Sequence, residues 1–333
     1  MLRRLLVATL SLVIATTHLA HAGADFTKRK DVQSFISQMV KKNHFNRASL
    51  TKLLSKAEYR ATVVQSVKKP LEASPWRRYQ RLFVNDTLIG DGVKFWKKHA
   101  TALKKAEKIY GVPASIIVAT LGVETKYGTH TGSYRVIDSL TSLGFSDSPR
   151  APFFRRELEQ FLLFTREQHL NPLKVTGSYA GAIGMPQFMP SSYRYYAASF
   201  TKKTAIDLMN DPNDAIASIA NYYKEHGWTK NALVAVPATV NEKKYKKLPT
   251  PANSKAKTTL KTLEKYGVKP AYRIKDVKVN AKLITLTSEK SKEYWVGFHN
   301  FEVIRRYNPN DLYAMAVYQL SHYTQKAKDK KAK

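Results

Sequence analysis

The chain has 333 residues, of which 43% are hydrophobic and 11% aromatic, as in a folded globular protein. It contains no cysteine, which excludes disulfides, thiol catalysis and Cys-ligated zinc. The 56 Lys and Arg against 25 Asp and Glu give a formal net charge of +31, which favours an anionic partner: a polyanionic glycan, a membrane surface or nucleic acid. Lysines scattered over a solvated surface would account for the same charge.

The N-terminal segment has the pattern of a secretory signal peptide. Arg3 and Arg4 precede an apolar run over residues 5–15, and residues 20–22 (Ala-His-Ala) match an A-x-A cleavage site. The apolar run is too short to span a bilayer comfortably. We therefore expect an exported, soluble, periplasmic protein that begins near Gly23 and, lacking cysteine, has no lipoprotein anchor.

Apolar residues at helical spacing predict a series of helices along the chain. In chain order they cover residues 31–59 with a restart at Asn46, 90–109, 113–127, 153–169, 211–228 with Asp211 as N-cap, and 312–323. Loops are predicted over residues 68–80 and over the glycine-rich stretch 177–193, which runs into a helix that starts near Ser191. Short alternating runs in residues 238–293 are typical of β-strands, and the charged tail is expected to be disordered.

These elements predict a mainly α protein of the α+β class, with a small antiparallel β subdomain inserted before the last helix. The predicted divisions are a signal peptide (1–22), a helical domain (23–237), a basic β subdomain (238–300), a C-terminal segment returning to the helical domain (301–325) and a charged tail (326–333).

Glu124 is the first residue that suggests chemistry. It lies in the last turn of the predicted helix, on the same face as Ile117 and Leu121. Desolvation and the negative end of the helix dipole should both raise its pKa. A glutamate with a pKa near ~6 is what a glycosidase acid requires. A glutamate paired with a buried arginine, or capped by backbone amides, would show the same pattern.

Three longer motifs add to this: "GVETKYG" (122–128), "GSYAGAIGMPQFMPSSY" (177–193) and "DPNDAIASIANYYKEHGW" (211–228). Together they resemble the lytic murein transglycosylase B family, glycoside hydrolase family 103, and similar stretches at 75–83 and 306–320 extend the likeness over nearly the whole mature chain. The resemblance implies a lysozyme-like catalytic domain that cleaves the β-1,4 bond between N-acetylmuramic acid and N-acetylglucosamine in peptidoglycan. In this reaction the muramoyl 6-hydroxyl, not water, attacks the anomeric carbon and leaves a 1,6-anhydro end.

The residues are compatible with that reaction. Most glycosidases need two carboxylates at the bond, but an intramolecular hydroxyl replaces the protein nucleophile, so Glu124 alone would act first as acid and then as base. A hydrolytic muramidase is one alternative, and it would need a second carboxylate, for which Asp138 and Glu159 are the candidates. A non-catalytic, basic peptidoglycan-binding protein is the other.

The resemblance further implies a substrate groove around Glu124. Its implied binding residues are Ser178, Gln187, Tyr222, Tyr307, Asn308, Tyr313 and Arg150. Amide side chains hydrogen-bond sugar hydroxyls and acetamido groups, tyrosines stack on pyranose faces, and the arginine meets a stem-peptide carboxylate. Core packing would equally explain each aromatic residue. Pro186 should stiffen the loop before Gln187.

The family often carries a calcium loop resembling an EF-hand between its second and third motifs. Here Ser199, Lys202 and Lys203 stand where acidic ligands or glycine are expected, and two lysines would repel a divalent cation. We therefore expect no cofactor. The expected partners are peptidoglycan glycan strands, with electrostatic association to an anionic wall or membrane surface as a hypothesis. No nucleic-acid recognition motif is visible, and we expect a monomer.

Overall fold

The structure is a computed structural model that describes residues 23–66, 74–202, 205–248 and 258–330. The predicted signal peptide therefore lies outside the described residues. The chain divides into two compact units, with the boundary between Tyr59 and Arg60. The domain limits predicted from the sequence, at residues 237 and 300, stay predictions.

The described part of the first unit contains α1 (Gly23–Lys28), α2 (Lys30–Asn43) and α3 (Arg47–Leu54). The buried side chains of α2 are at i, i+3, i+4 and i+7, as expected of a helix with one apolar face: Val32, Phe35, Ile36 and Met39. The predicted restart at Asn46 is confirmed, because its side chain accepts a hydrogen bond from the Ser49 N–H and so caps α3.

The helices of the second unit are α4 (Ala61–Ser66), α5 (Trp76–Phe83), α6 (Asp86–Lys98), α7 (Ala100–Tyr110), α8 (Ala114–Thr125), α9 (Val136–Gly144), α10 (Ala151–Glu167), α11 (Pro190–Tyr196), α12 (Pro212–Glu225), α13 (Glu242–Tyr245), α14 (Leu260–Lys265), α15 (His299–Tyr307) and α16 (Asp311–Lys330). The loop predicted through Gln80 was wrong at its end, because Trp76 and Tyr79 bury their rings on one side of α5. The helix predicted over residues 90–109 is two helices that meet at His99.

α8 lies in the interior of this unit and packs against α6, α7, α12 and α16. Within the described ranges, no single helix is long and apolar enough to cross a membrane. One bent pair, α7 with α8, meets the criteria of length and composition for a broken span, with an angle of 115° between the two helices.

Two antiparallel sheets complete the unit. The smaller pairs β1 (Tyr134–Arg135) with β2 (Thr176–Gly177). The larger has the order β4-β3-β6-β5 and consists of β3 (Ala235–Val240), β4 (Val268–Pro270), β5 (Lys282–Thr287) and β6 (Lys292–Gly297). Its register pairs Val236 with Val296, and both side chains belong to an apolar cluster that also contains Leu260, Leu263, Val268, Ala281 and Phe298. This cluster gives the β region its own core.

The last helix differs from its prediction. α16 runs on from Asp311 to Lys330, so the tail that we expected to be disordered from residue 326 is helical as far as it is described. One stabilising contact is visible there, because the Lys328 ammonium lies 4.9 Å from the centre of the Trp96 ring.

Candidate active site

Glu124 is one of two residues of α8 that are not buried. The helix is buried on all sides except at Ser115 and Glu124, which are partly exposed, so α8 has no separate polar face. α8 also ends two residues earlier than predicted, because Lys126 and Tyr127 adopt left-handed backbone conformations with φ of 47° and 61°. Glu124 is therefore the partly exposed carboxyl at the end of a core helix.

Close packing fixes the end of α8. The Tyr127 ring folds back against the helix, and its hydroxyl donates a hydrogen bond to the Leu88 carbonyl at 2.8 Å. A Cβ at Gly122 or Gly92 would lie 2.6 Å from the Tyr127 hydroxyl oxygen, so both glycines leave the space that this ring occupies. The backbone that carries Glu124 is thus held in one position.

Tyr313 provides the direct contact with Glu124. Its buried hydroxyl donates a hydrogen bond to Glu124 Oε1 at 2.5 Å. Burial and the Glu124 charge raise the pKa of Tyr313 well above its usual value, so the hydroxyl stays protonated and acts as a neutral donor. A hydrogen bond of this kind stabilises the ionised form of the carboxyl group.

Further tyrosines surround this pair. Burial raises the pKa of Tyr222, Tyr223 and Tyr307, and the Glu124 charge adds to each shift. The Tyr307 ring stacks on Tyr313 with 6.3 Å between centroids, and it lies 4.8 Å from the Tyr222 ring. The structure therefore brings three of the implied binding residues, Tyr222, Tyr307 and Tyr313, within electrostatic reach of Glu124.

Two of these hydroxyl groups donate hydrogen bonds to the backbone. The Tyr222 hydroxyl donates to the Arg306 carbonyl at 2.7 Å, and the Tyr307 hydroxyl donates to the Pro186 carbonyl at 2.6 Å. Their rings, packed around Phe188, form a wall of the site. Sequence reasoning missed Tyr223 and Phe188, although "NYYKE" and "PQFMP" place both beside residues that it selected.

The glycine-rich loop is fastened to the end of α8. The Thr125 hydroxyl donates to the Met185 carbonyl at 2.8 Å. Gln187, with φ of 51°, donates its side-chain N–H to the carbonyls of Gly184 at 2.9 Å and Thr131 at 3.0 Å. The nitrogen of this amide is therefore bound to the backbone, which leaves the side-chain oxygen as the group that can meet a ligand.

The remaining implied binding residues show local contacts. Ser178 Oγ accepts hydrogen bonds from the backbone N–H groups of Ala180 at 3.2 Å and Ala182 at 3.1 Å, so it shapes its own turn. Arg150 is exposed, and its guanidinium lies 5.1 Å from the centre of the Phe154 ring. Asn308 follows α15, and its carbonyl accepts a hydrogen bond from the Asn310 N–H.

The two candidates for a second carboxylate are both buried. Asp138 is 1% exposed, and it accepts two hydrogen bonds of 2.8 Å from the Arg135 guanidinium. Arg60 approaches the same carboxylate at 3.6 Å. Glu159 is 6% exposed, and its charge helps to raise the pKa of Arg194. Asp138 thus holds an ion pair, which is a structural role.

The carboxylates in the segment that stands where the family often carries a calcium loop accept backbone hydrogen bonds. Asp207 accepts from the N–H groups of Met209 and Asn210, Asp211 caps α12 as predicted, and Asp214 accepts from the Asp207 N–H. Within the described ranges, no group of three or more His, Asp or Glu side chains is arranged to hold a metal ion. Lys203 lies outside the described residues.

This arrangement supports proton transfer. A partly exposed carboxyl group, held at a helix end and hydrogen-bonded by a neutral hydroxyl, can donate a proton and take one back. Tyrosine rings beside it offer flat surfaces of the kind on which sugars stack.

Comparison with known proteins agrees with this description. Residues 27–322 match the family model described as the transglycosylase SLT domain. The chain is 40% identical over 308 residues to the membrane-bound lytic murein transglycosylase B of Escherichia coli, covering 90% of this chain and 83% of that protein.

Solved structures show the same likeness. The lytic transglycosylase SltB1 of Pseudomonas aeruginosa superposes with a TM-score of 0.84 and 42% identity, covering 91% of this chain and 100% of that one. Escherichia coli Slt35, solved with bulgecin A and with calcium, gives TM-scores of 0.83 and 0.82 at 39% identity, covering 91% of this chain and 95% of that one. The fold class and the family predicted from the sequence are confirmed, and the protein belongs to the transglycosylase SLT family of lysozyme-like lytic transglycosylases.

Proposed function

We propose that this protein cleaves the MurNAc-β-1,4-GlcNAc bond of peptidoglycan without water, with Glu124 as the single acid and base. The observation that carries this proposal is the 2.5 Å hydrogen bond from Tyr313 to Glu124 on the partly exposed end of a buried helix. The family resemblance and its relatives support the reaction class.

Glu124 and Tyr313 are the groups of this chain that take part, and the substrate supplies the attacking hydroxyl. Protonated Glu124 gives its proton to the glycosidic oxygen as the bond to the anomeric carbon breaks, which releases the GlcNAc hydroxyl. The Glu124 carboxylate, stabilised by the Tyr313 hydroxyl, then takes the proton of the muramoyl 6-hydroxyl as that oxygen bonds the anomeric carbon. Glu124 therefore ends the reaction protonated, as it began, and the product carries a 1,6-anhydro ring.

The hydrolytic alternative has less support. It needs a carboxylate that activates water, and the Asp138 carboxylate instead accepts two hydrogen bonds from the Arg135 guanidinium. A purely binding function would give no reason to place a carboxyl group beside a buried, neutral tyrosine hydroxyl.

For the groove, we propose that the Gln187 side-chain oxygen and Asn308 bind sugar hydroxyl or acetamido groups. Tyr222 and Tyr307 would present their rings, because their hydroxyls are bound to backbone carbonyls. Ser178 and Arg150 stay predicted binding residues.

We also propose that the protein needs no calcium, although a relative was solved in complex with that ion. The Asp207 and Asp214 oxygens accept backbone hydrogen bonds, and Lys202 lies in the same segment. Melting temperatures measured in calcium and in a chelator should agree. A clear rise with calcium would contradict the proposal.

Export to the periplasm, a soluble and monomeric state and electrostatic retention on an anionic surface stay predictions. Retention on isolated cell walls should weaken between low and about 0.5 M salt, because salt screens exposed charges. Retention that is unaffected by salt would contradict electrostatic association.

The decisive experiment is mass spectrometry of the products released from purified peptidoglycan. Wild-type protein should give anhydro-muropeptides, and Glu124→Gln should release them about 10²- to 10⁴-fold more slowly. Reducing-end products would instead establish hydrolysis, and an absence of products from both proteins would favour the binding function.

A further inference from the structure

Four charged side chains form a closed ring at the junction of β5, α15 and α16. The Lys282 ammonium lies 3.0 Å from Asp311 and 3.8 Å from Glu302. The Arg305 guanidinium lies 2.6 Å from Glu302 and 2.7 Å from Asp311. Each cation therefore contacts both carboxylates, and we call this set the charge ring.

The charge ring holds both ends of the segment that carries the tyrosines of the site. Arg305 precedes Tyr307 by two residues on α15, and Asp311 precedes Tyr313 by two residues at the start of α16. Residues 308–310 connect the two helices. The contact between Arg305 and Asp311 thus closes this connection, and Lys282 attaches it to the β-sheet.

A general stabilising role does not explain this arrangement well. The four side chains are between 26% and 45% exposed, and ion pairs at such exposure contribute little to the free energy of unfolding. Two atoms inside the ring are shielded from solvent and make ion-pair contacts without a well-aligned hydrogen bond among the described residues: Glu302 Oε1, 3.8 Å from the Lys282 ammonium, and Arg305 Nε, 2.7 Å from Asp311. They depend on the opposite charges of the ring, so losing one member should shift this junction locally.

We propose that Asp311 and Arg305 are positioning residues that keep the Tyr313 hydroxyl on Glu124, with Lys282 anchoring them to the sheet. This inference rests on the proposed function of Glu124. It gives the β-sheet a role in catalysis through its contact with the start of α16.

The test compares how kcat depends on pH in four proteins: wild type, Tyr313→Phe, Asp311→Asn and Asp329→Asn. Glu124 must be protonated to act first, so kcat falls as pH rises through its pKa. Because the Tyr313 hydroxyl stabilises the carboxylate, Tyr313→Phe should move this fall about one pH unit upward. Asp311→Asn should move it in the same direction and lower kcat roughly tenfold, with little change in KM.

Asp329→Asn is the matched control, because Asp329 is an exposed member of an ion pair at the other end of α16. Its profile should coincide with that of wild type. Asp311→Glu, which keeps the charge, should restore most of kcat. Lys282→Gln, in a different element of the ring, should shift the profile less but in the same direction, and it provides the test if Asp311→Asn does not fold.

Hydrogen exchange of residues 307–314 separates this inference from the proposed function, since it needs no substrate. Asp311→Asn should exchange faster there, and Asp329→Asn should not. An unchanged exchange rate, or a pH profile that stays with wild type while that of Tyr313→Phe moves, would overturn the positioning role. Wild-type protein that makes no anhydro products would overturn the function and leave the exchange result standing.

Discussion

Glu124 and Asp138 are two carboxyl groups of the same unit with opposite surroundings. Asp138 is in the first turn of α9, where the helix dipole favours a negative charge, and it accepts two hydrogen bonds from the Arg135 guanidinium. Glu124 is in the last turn of α8, where the dipole opposes a negative charge, and it receives the neutral hydroxyl of Tyr313. The first carboxyl group is held in an ion pair, and the second has the neutral hydrogen-bond donor that the proposed acid and base role requires.

This difference separates a carboxylate held in an ion pair from the proposed acid better than burial does. Asp138 is the more buried of the two, and its two oxygens accept hydrogen bonds from a guanidinium. Glu124 is partly exposed, as the proposed acid must be if a substrate oxygen is to reach it. What distinguishes them is the charge of the neighbouring donor and the end of the helix.

The largest expected effect is that of Glu124→Gln on the reaction. Loss of a general acid should lower kcat about 10²- to 10⁴-fold. The melting temperature should not fall, because the substitution keeps the shape of the side chain and removes a charge from the unfavourable end of α8. Product release and thermal unfolding measured on the same preparation check both statements. Retained activity, or a loss of activity that accompanies unfolding, would remove Glu124 from the acid role.

Alkaline pH should act next most strongly, through the tyrosines near Glu124. The pKa of Tyr222, Tyr223, Tyr307 and Tyr313 is raised in the folded protein, mainly by burial. Above pH about 10 the unfolded chain loses these protons while the folded chain keeps them, so stability falls as pH rises, by about 1.4 kcal/mol per pH unit for each tyrosine.

Denaturant unfolding at pH 8 to 11, with tyrosinate absorbance as a second probe, tests this expectation. Stability should stay flat with respect to these groups below pH about 10 and drop above it. Tyrosinate that forms fully in the folded protein near pH 10 would show that the rings are open to solvent.

Asp138→Asn should affect stability and leave the chemistry intact. Loss of the charge weakens two hydrogen bonds to a guanidinium, which we expect to lower the free energy of unfolding by about 2 kcal/mol. Asp31→Asn is the matched control, because Asp31 also accepts two hydrogen bonds from a guanidinium, that of Arg29, but its side chain is exposed. Its cost should stay below about 1 kcal/mol. A large fall in kcat for Asp138→Asn at a temperature where it is folded would revive the hydrolytic mechanism.

The sequence predicted local features well where one residue decides the structure. Asn46 was expected to mark a helix restart and Asp211 to cap a helix, and both cap their helices through their side-chain oxygens. The motif at residues 122–128 led to Glu124 through its position in a helix. These features depend on neighbours within a few residues, so a single sequence shows them.

What the sequence could not show depends on packing between distant segments. Trp76 and Tyr79 form α5 in a stretch punctuated by prolines, because burial of their rings overrides the loop pattern. α8 shows no polar face, because other helices cover it on every side. The contacts between Tyr313 and Glu124, and between Asp311 and Arg305, join residues whose pairing no local pattern encodes.

Removal of the Tyr223 hydroxyl should have the smallest effect, and it contrasts most sharply with removal of the Tyr313 hydroxyl. Its fully buried hydroxyl shares a 2.9 Å hydrogen bond with Thr120, whose own hydroxyl donates to the Ile116 carbonyl. Tyr223→Phe should therefore remove one donor and leave Thr120 bonded, at a cost of about 1 kcal/mol in the free energy of unfolding. The dependence of kcat on pH should stay that of wild type. A shift like that of Tyr313→Phe would show that the Tyr223 hydroxyl also acts on Glu124, and that the acid is tuned by the cluster and not by one bond.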